Sequence, residues 1–283
     1  MFRRGTAAVR EATLLPSLII KDSTMSTAIA LPLDQQCVLV TGGARGLGRA
    51  ISLAFLREGA RVVINYHRSE NAAQQLQHDF PDQALALKAD VTQPEQLVAL
   101  AAQAQQHFGQ PISTVVNNAL VGFSFNGEAR TPLEHMEWRE LNQQFEGSVQ
   151  GALNCVQATL GGMRELGFGR IVSIGTNLFQ NPVVPYHDYT AAKAALLSLT
   201  RTMAQELGPE NITANMVSGG LLRSTDASSA TPAEVFEMIA ANTPLRRVTT
   251  PQEFADAVLF FASPWARSVS GQNLVVDGGL VKD

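Results

Sequence analysis

The sequence predicts an α/β protein: a doubly wound, parallel, seven-stranded sheet with helices on both faces. Three observations carry this. Short apolar runs alternate with helical stretches along nearly the whole 283-residue chain, the pattern that implies right-handed crossovers covering both faces of a parallel sheet. The first such pair joins Val38, Leu39 and Val40 to a stretch in which Leu47, Ile51, Ala54 and Phe55 share one helical face. Between them fall Gly42, Gly43, Gly46 and Gly48. Strand, glycine turn and helix together aim a helix N-terminus and its free N–H groups at a phosphate, and glycine lets the backbone approach closely.

The remaining elements follow in order. Residues 61–66 (RVVINY) read as a second strand, 70–78 as a helix, and 83–88 as a third strand closed by Asp90 and Val91. Thr92 and Glu95 have the spacing of a capping box for a helix running to about Phe108. A fourth strand, 113–116, ends in Asn117, Asn118 and Ala119, and 120–132 reads as a loop. Two helical stretches follow, 133–145 and 148–166, then a fifth strand at 170–174, a long helix at 188–207 and a sixth strand at 212–217. Residues 218–231 are loop-like, and Thr231 caps a short helix ending near Asn242. Pro251 opens a helix to Ala262, as proline does at a first helical position, and 273–276 is a seventh strand. No repeat or linker breaks residues 35–283, so they read as one domain. Residues 1–34, with Arg3, Arg4, Arg10 and a short Leu/Ile run, read as a mobile extension dispensable to the fold; Met25 begins a more usual start.

Composition narrows the function. Hydrophobic content of 45% supplies a core, while a net charge of −4 and a pI near 5.8 offer no basic surface for nucleic acid or anionic lipid. No apolar run approaches the ~20 residues needed to span a bilayer. Two cysteines, Cys37 and Cys155, make no disulfide framework and read as buried hydrophobes in a reducing, cytoplasmic setting. No metal site is expected.

A second informative site is YTAAK at 189–193. Tyr189 and Lys193 stand at i and i+4 on one helical face, about 5–6 Å apart. A tyrosine hydroxyl has a reference pKa of about 10, and a lysine ammonium one turn away has the sign of charge that favours phenolate. Tyr186 has no lysine at i+4.

TGGARGLG at 41–48, Asn117-Asn118-Ala119, GRIVSIGT at 169–176, YTAAK at 189–193 and DGG at 277–279 stand in one order. Together they resemble the short-chain dehydrogenase/reductase family over about residues 36–280, most closely its 3-oxoacyl carrier-protein reductase-like members. The resemblance implies a Rossmann-type oxidoreductase moving hydride between a nicotinamide cofactor and a carbonyl or alcohol. It implies that Tyr189 is the general acid, that Lys193 lowers its pKa and binds the nicotinamide ribose, and that Thr176, at the family's serine position thirteen residues before the tyrosine, orients the substrate oxygen. Ser173 is an alternative hydroxyl. Ser148 falls at the family's active-site asparagine, which helps hold a water linking the lysine to solvent; Asn142 lies nearly two helical turns away.

By the same resemblance Gly42, Arg45, Gly46, Leu47 and Gly48 line the pyrophosphate and adenosine, Asp90 and Val91 meet the adenine, and Asn117 and Ala119 meet the ribose. Gly220, Leu222 and Ser224 complete the cofactor site. Leu120 and Gly219-Gly220 depart from the family's usual glycine and Pro-Gly. Residues 65–69 (NYHRS) contain no acid after the second strand to accept a ribose 2′-OH, whereas Arg45 and Arg68 can clamp a 2′-phosphate. NADP(H) is therefore the expected cofactor, with NAD(H) possible. The expected substrate is a small carbonyl or acyl compound: a 3-oxoacyl group, a ketone or a similar skeleton. Phe123, Phe125, Leu178, Phe179, Leu221 and Leu222 make its pocket apolar. The resemblance also implies a homodimer or homotetramer paired through helices near 133–166 and 186–207 and the strand near 273–276, with Ala191, Ala192, Ala194 and Ala195 permitting close approach. The rival readings are a catalytically weak, nucleotide-binding sensor or scaffold, and an epimerase or dehydratase of the same fold.

Overall fold

The computed structural model describes residues 30–123, 130–223, 228 and 231–282. Most of the N-terminal extension, including Met25, lies outside the described residues, as do Phe125, Ser224 and Thr225.

Among the described residues, fifteen strands and helices build the layers. They are β1 (Cys37–Val40), α1 (Gly46–Arg57), β2 (Arg61–Tyr66), α2 (Glu70–Asp79), β3 (Ala84–Lys88), α3 (Pro94–Phe108), β4 (Thr114–Asn117), α4 (Trp138–Phe145) and α5 (Gly151–Leu166). β5 (Gly169–Thr176), α6 (His187–Leu207), β6 (Ile212–Gly219), α7 (Ala233–Asn242), α8 (Pro251–Ala262) and β7 (Asn273–Val276) complete them. The seven strands form one sheet in the order β3-β2-β1-β4-β5-β6-β7, every pair parallel. The order reverses between β1 and β4. Their carboxyl ends therefore splay apart into a crevice, the place where open sheets of this kind bind ligands.

Alternation along the strands sends side chains to two cores. Val38 and Val40 of β1 pack with Ile51, Phe55, Phe254 and Val258, under α1 and α8. Leu39, between them, points the other way, into a cluster with Leu97, Leu100, Ile171 and Met203, under α3 and α6. β1, β4, β5 and β6 are buried along their whole lengths, which is why their sequences read as apolar runs rather than alternating ones.

Two local expectations are corrected. The Thr92–Glu95 box does not form. Pro94 occupies the first turn of α3, and the Thr92 amide and hydroxyl instead donate to Asp90 Oδ1 at 2.9 and 2.8 Å. The side chain found a nearer acceptor than the helix terminus, the usual competition for such residues. A capping box does hold α8: Thr250 N–H donates to the Glu253 carboxylate at 2.9 Å, and Glu253 N–H donates to Thr250 Oγ1 at 3.3 Å. Secondly, residues 133–166 do not divide into two separate helices. Leu133–His135 is a single 3-10 turn, α4 begins at Trp138, and a π-helical turn over Glu146–Gln150 carries the chain into α5 without a break. The extra residue in that turn offsets α4 from α5 around the helix axis.

Candidate active site

The glycines of the first turn do different jobs. Gly42 and Gly46 have φ of 61° and 52°, where a side chain is strained. Gly48 is needed for space: a Cβ there would meet Gly42 O at 2.1 Å and Asn118 Nδ2 at 2.7 Å. The turn is pinned from two sides by Asn65 and Asn118, to which the sequence reading gave no such role. Asn65, ending the apolar run of β2, accepts from Gly42 N–H at 3.3 Å and donates to Ala89 O at 3.0 Å. Asn118 donates to Thr41 O at 2.8 Å, while Thr41 Oγ1 accepts from the N–H groups of Asn118 and Ala119 at 2.9 Å. A polar residue inside an otherwise apolar strand was the available signal for Asn65.

No side chain caps the N-terminus of α1, so its first-turn N–H groups face the crevice beside the glycine backbone. Arg45 and Arg68 are exposed at the rim, as is His67. Asp90 lies opposite, with Oδ2 3.9 Å from His67 Nε2. Burial acts to raise its carboxyl, but hydrogen bonds from Thr92 and the charges of His67 and Arg68 outweigh this and hold it below its ordinary range. The acid nearest the end of β2, Glu70, is engaged by the Tyr66 hydroxyl, which burial and that carboxylate push up. Uncapped helix, glycine backbone and basic rim fit the phosphates of a dinucleotide.

At the carboxyl ends of β4 and β5, the second group of residues converges. Tyr189 and Lys193 lie on the buried face of α6, 5% and 3% exposed, with Lys193 Nζ 5.8 Å from the tyrosine ring centre. The Tyr189 hydroxyl is hydrogen-bonded to Thr176, at the end of β5. Ser173, three residues back on the same strand, bonds Thr200 at 3.3 Å and belongs to the packing beneath the site. Burial pushes the Tyr189 hydroxyl up to about 12, against the lowering effect of Thr176. Lys193 donates to Ile174 O at 2.8 Å, and burial brings its ammonium down to about 8. Desolvation drives both groups toward their neutral forms, and Thr176 is the neighbour that acts against it at the tyrosine.

Phe123 lies against this pair. Its ring stacks on Tyr189 at 4.5 Å and meets Tyr186 edge-on at 5.3 Å. The Arg130 guanidinium lies 4.5 Å from the Phe123 ring on a path back to Asp188, with which it forms an ion pair. This clasp joins the loop after β4 to the first turn of α6, and nothing in the spacing of Arg130 and Asp188 announced it.

The remaining expected residues divide. Val91, Asn117, Ala119 and Ser148 line a small cavity with Lys193. Asn142 points elsewhere, donating to Glu146 at 2.6 Å. Leu222 is packed into the core near Phe254, so its side chain is unavailable to a ligand and only its backbone remains. Phe179 packs against the Leu196 and Met216 cluster. Gly220 lies beside the Asn177 carboxamide, which donates to Asp277 Oδ2 at 2.9 Å. Asp277 also accepts the N–H groups of Gly279, Leu280 and Val281 at 2.9 to 3.0 Å, which explains the terminal DGG. Cys37 and Cys155 are buried, their thiols pushed up to about 12 by desolvation.

A glycine turn at a sheet switch point, with a buried Tyr–Thr–Lys group beside it, marks a class: dinucleotide-binding oxidoreductases of the doubly wound fold. Comparison with known proteins makes this particular. A family model described as Enoyl-(Acyl carrier protein) reductase matches residues 42–281. A 7alpha-hydroxysteroid dehydrogenase of Escherichia coli (strain K12) is 32% identical over 256 residues, covering 89% of this chain and 97% of that one. A short-chain type dehydrogenase/reductase of Picea abies is 35% identical, covering 88% and 93%. The 3-oxoacyl-acyl-carrier-protein reductase FabG of Vibrio cholerae is 31% identical, covering 88% and 98%. Among solved structures, a 7 alpha-hydroxysteroid dehydrogenase complexed with NADH and 7-oxo glycochenodeoxycholic acid superposes with a TM-score of 0.80 at 32% identity, covering 89% and 96%. The chain belongs to the short-chain dehydrogenase/reductase family, and is an NAD(P)-dependent oxidoreductase acting on CH–OH or C=O groups. No described helix is long and apolar enough to cross a membrane.

Proposed function

We propose that this enzyme reduces a ketone or 3-oxoacyl-like carbonyl to an alcohol with NADPH, using Tyr189 as general acid. The observation that carries this is the Tyr189 hydroxyl, bonded to Thr176, with Lys193 Nζ near the same ring in one desolvated group. Gly42, Gly46, Leu47, Gly48 and the α1 N-terminus hold the cofactor's phosphates, with Val91, Ala119, Gly220 and the Leu222 backbone along its length. Bound there, a reduced nicotinamide supplies hydride.

A hydroxyl with a raised pKa suits the reduction. Tyr189 must begin protonated, and an alkoxide forming on the substrate is a stronger base than tyrosinate, so the proton moves downhill. Thr176 keeps a donor and an acceptor beside the reacting oxygen. Lys193 acts after the transfer, its positive charge stabilising the tyrosinate, and its value near 8 lets it release and recover a proton near neutrality. The test is NADPH turnover over a panel of β-keto esters, quinones, steroids and sugars. NADPH bound with every carbonyl left unreduced would make the protein the sensor or scaffold instead.

The cofactor preference follows from the basic rim. With Glu70 engaged by Tyr66, no free carboxylate follows β2 to accept a ribose 2′-OH, and Arg45 and Arg68 supply charge for a 2′-phosphate. Arg68→Ala is expected to raise the KM for NADPH about tenfold, the effect of one charge-assisted bond, and to leave NADH unchanged. An equal or better kcat/KM with NADH in the wild type overturns the preference.

Assembly as a homodimer or homotetramer is proposed from the outward faces of α5 and α6 and the edge strand β7, where Leu153, Ala194 and Leu274 are exposed. Multi-angle light scattering at micromolar concentration should give twice or four times the 30.4 kDa chain mass; a monomer peak refutes it.

A further inference from the structure

At the base of the sheet, the end away from Tyr189, a row of polar side chains crosses an otherwise apolar core. Thr114, Arg170 and Thr213 are register partners on β4, β5 and β6, so their side chains leave the same face. Val38, the partner of Thr114 on β1, marks that face as the one under α1 and α8. Gln36, two residues before Val38, continues the row. One half of the row is satisfied. Thr114 Oγ1 donates to Gln36 Oε1 at 2.6 Å, and Gln36 Nε2 donates to Leu31 O and Ala262 O, both at 2.9 Å. The other half is not. Arg170 is 1% exposed, and of its side-chain nitrogens only Nη1 is bonded, to Gly169 O at 2.8 Å and Asn211 O at 3.3 Å. Nε and Nη2 have no partner, and neither has Thr213 Oγ1 on the neighbouring strand.

The unbonded atoms are the ones suited to an anion. Nε–H and Nη2–H form the side edge of the guanidinium, a parallel pair of donors that grips an acceptor through two bonds. The Phe168 ring centre lies 4.1 Å from the guanidinium carbon and covers one face, which leaves recognition to that edge. Among the described residues no carboxylate pairs with this cation. Arg164, at the same end of the sheet, holds Glu210 in two bonds of 2.6 and 2.9 Å. Burial without a counter-charge brings the Arg170 guanidinium down to about 10. An uncompensated buried charge is strongly destabilising, and buried donors are almost always satisfied. Two aligned donors and a hydroxyl on the next strand, about 4.8 Å across the sheet, can be met together by one small particle. A water would satisfy the hydrogen bonds and leave the charge. The orphan atoms are sealed from solvent, so a carboxylate or phosphate carried on a larger molecule does not reach them.

We infer that Arg170 and Thr213 form a binding site for one small inorganic anion of the halide class, chloride in the first instance. The anion accepts from Arg170 Nε–H and Nη2–H and from the Thr213 hydroxyl. Its role is structural. It fastens the base of β5 to the base of β6, the strands whose other ends carry Thr176 and Gly219, and it takes no part in the reaction.

The test uses the full-length protein, with chloride and bromide as probes. Melting temperature is followed as sodium isethionate is exchanged for sodium chloride at constant ionic strength, and crystals grown in sodium bromide are measured at the bromine absorption edge. Expected are a melting temperature higher by about 3 °C at a tenfold excess of chloride over its Kd, and an anomalous peak within hydrogen-bond distance of Arg170 Nε and Nη2 and of Thr213 Oγ1. Arg170→Met keeps an unbranched side chain and removes the charge, so its melting temperature should not respond to chloride. Thr213→Val removes only the hydroxyl and should respond less than the wild type. Chloride bound at the α1 N-terminus would stabilise the fold in Arg170→Met as well, so a response that survives in that variant overturns the inference. A wild-type melting temperature indifferent to chloride, or density beside Arg170 without an anomalous signal, overturns it too. If Arg170→Met does not fold, Thr213→Val and the bromide crystal decide.

Discussion

Tyr189→Phe is expected to lower kcat about a thousandfold, within the range a positioned general acid contributes, while NADPH still raises the melting temperature. Phenylalanine fills the same volume between Phe123 and the sheet, so the ring stack at 4.5 Å survives and only the proton and the Thr176 bond are lost. Tight nucleotide binding with lost turnover separates a chemical role from a packing one. The decisive measurement is single-turnover NADPH oxidation with the best carbonyl from the panel, alongside a thermal-shift titration. A variant retaining a tenth or more of the wild-type rate would remove Tyr189 from the chemistry.

Gly48→Ala should be the most damaging glycine-to-alanine change among the described residues. The added Cβ would lie 2.1 Å from Gly42 O and 2.9 Å from Gly42 C, and backbone cannot swing aside as a side-chain end can. α1 must move off the turn, which both overpacks the first core and pulls the helix N-terminus away from its ligand. The expected stability loss is about 1–3 kcal/mol or more, read as a melting temperature lower by roughly 2–4 °C per kcal/mol. NADPH affinity should fall at least about tenfold, since the cradle itself is displaced. Gly161→Ala is the matched control. That glycine is exposed on α5, with nothing within 4 Å of its added methyl, so alanine should be neutral or stabilising by up to about 1 kcal/mol. Unchanged nucleotide affinity in Gly48→Ala would mean that the turn does not hold the phosphates.

The contrast between these glycines shows what a sequence can and cannot reveal. The turn at 42–48 could be read because glycine spacing and an apolar strand sit side by side, and Tyr189 with Lys193 because helical period fixes their common face. A parallel sheet covered on both faces followed from alternation alone. What escaped the reading depends on competition or on contacts between distant segments. Thr92 had the spacing of a cap, but Asp90 was nearer and Pro94 had already set the helix start. The continuity of residues 138–166 turns on one extra residue in a turn, which no periodicity reports. Leu222 looked like a pocket residue because its loop follows β6, yet its side chain enters the core. Arg170 reads as a strand residue in sequence; its unpaired guanidinium edge, beside the Thr213 hydroxyl, appears only when β5 and β6 are brought together. Arg130 and Asp188 are separated by 58 residues, and only the folded loop pairs them.

The ties at either end of residues 178–187 have an evolutionary consequence. Asn177 is anchored to Asp277 at the start of that segment, and Asp188 to Arg130 at its end. Thr176 and Tyr189 each stand one residue outside these anchors. The intervening stretch can thus change its side chains, or lengthen, while both fastenings keep their neighbours in register. A chain fastened this way can diversify what it recognises without re-solving the placement of its acid, and the cheapest route to a new substrate runs through the residues between the two knots.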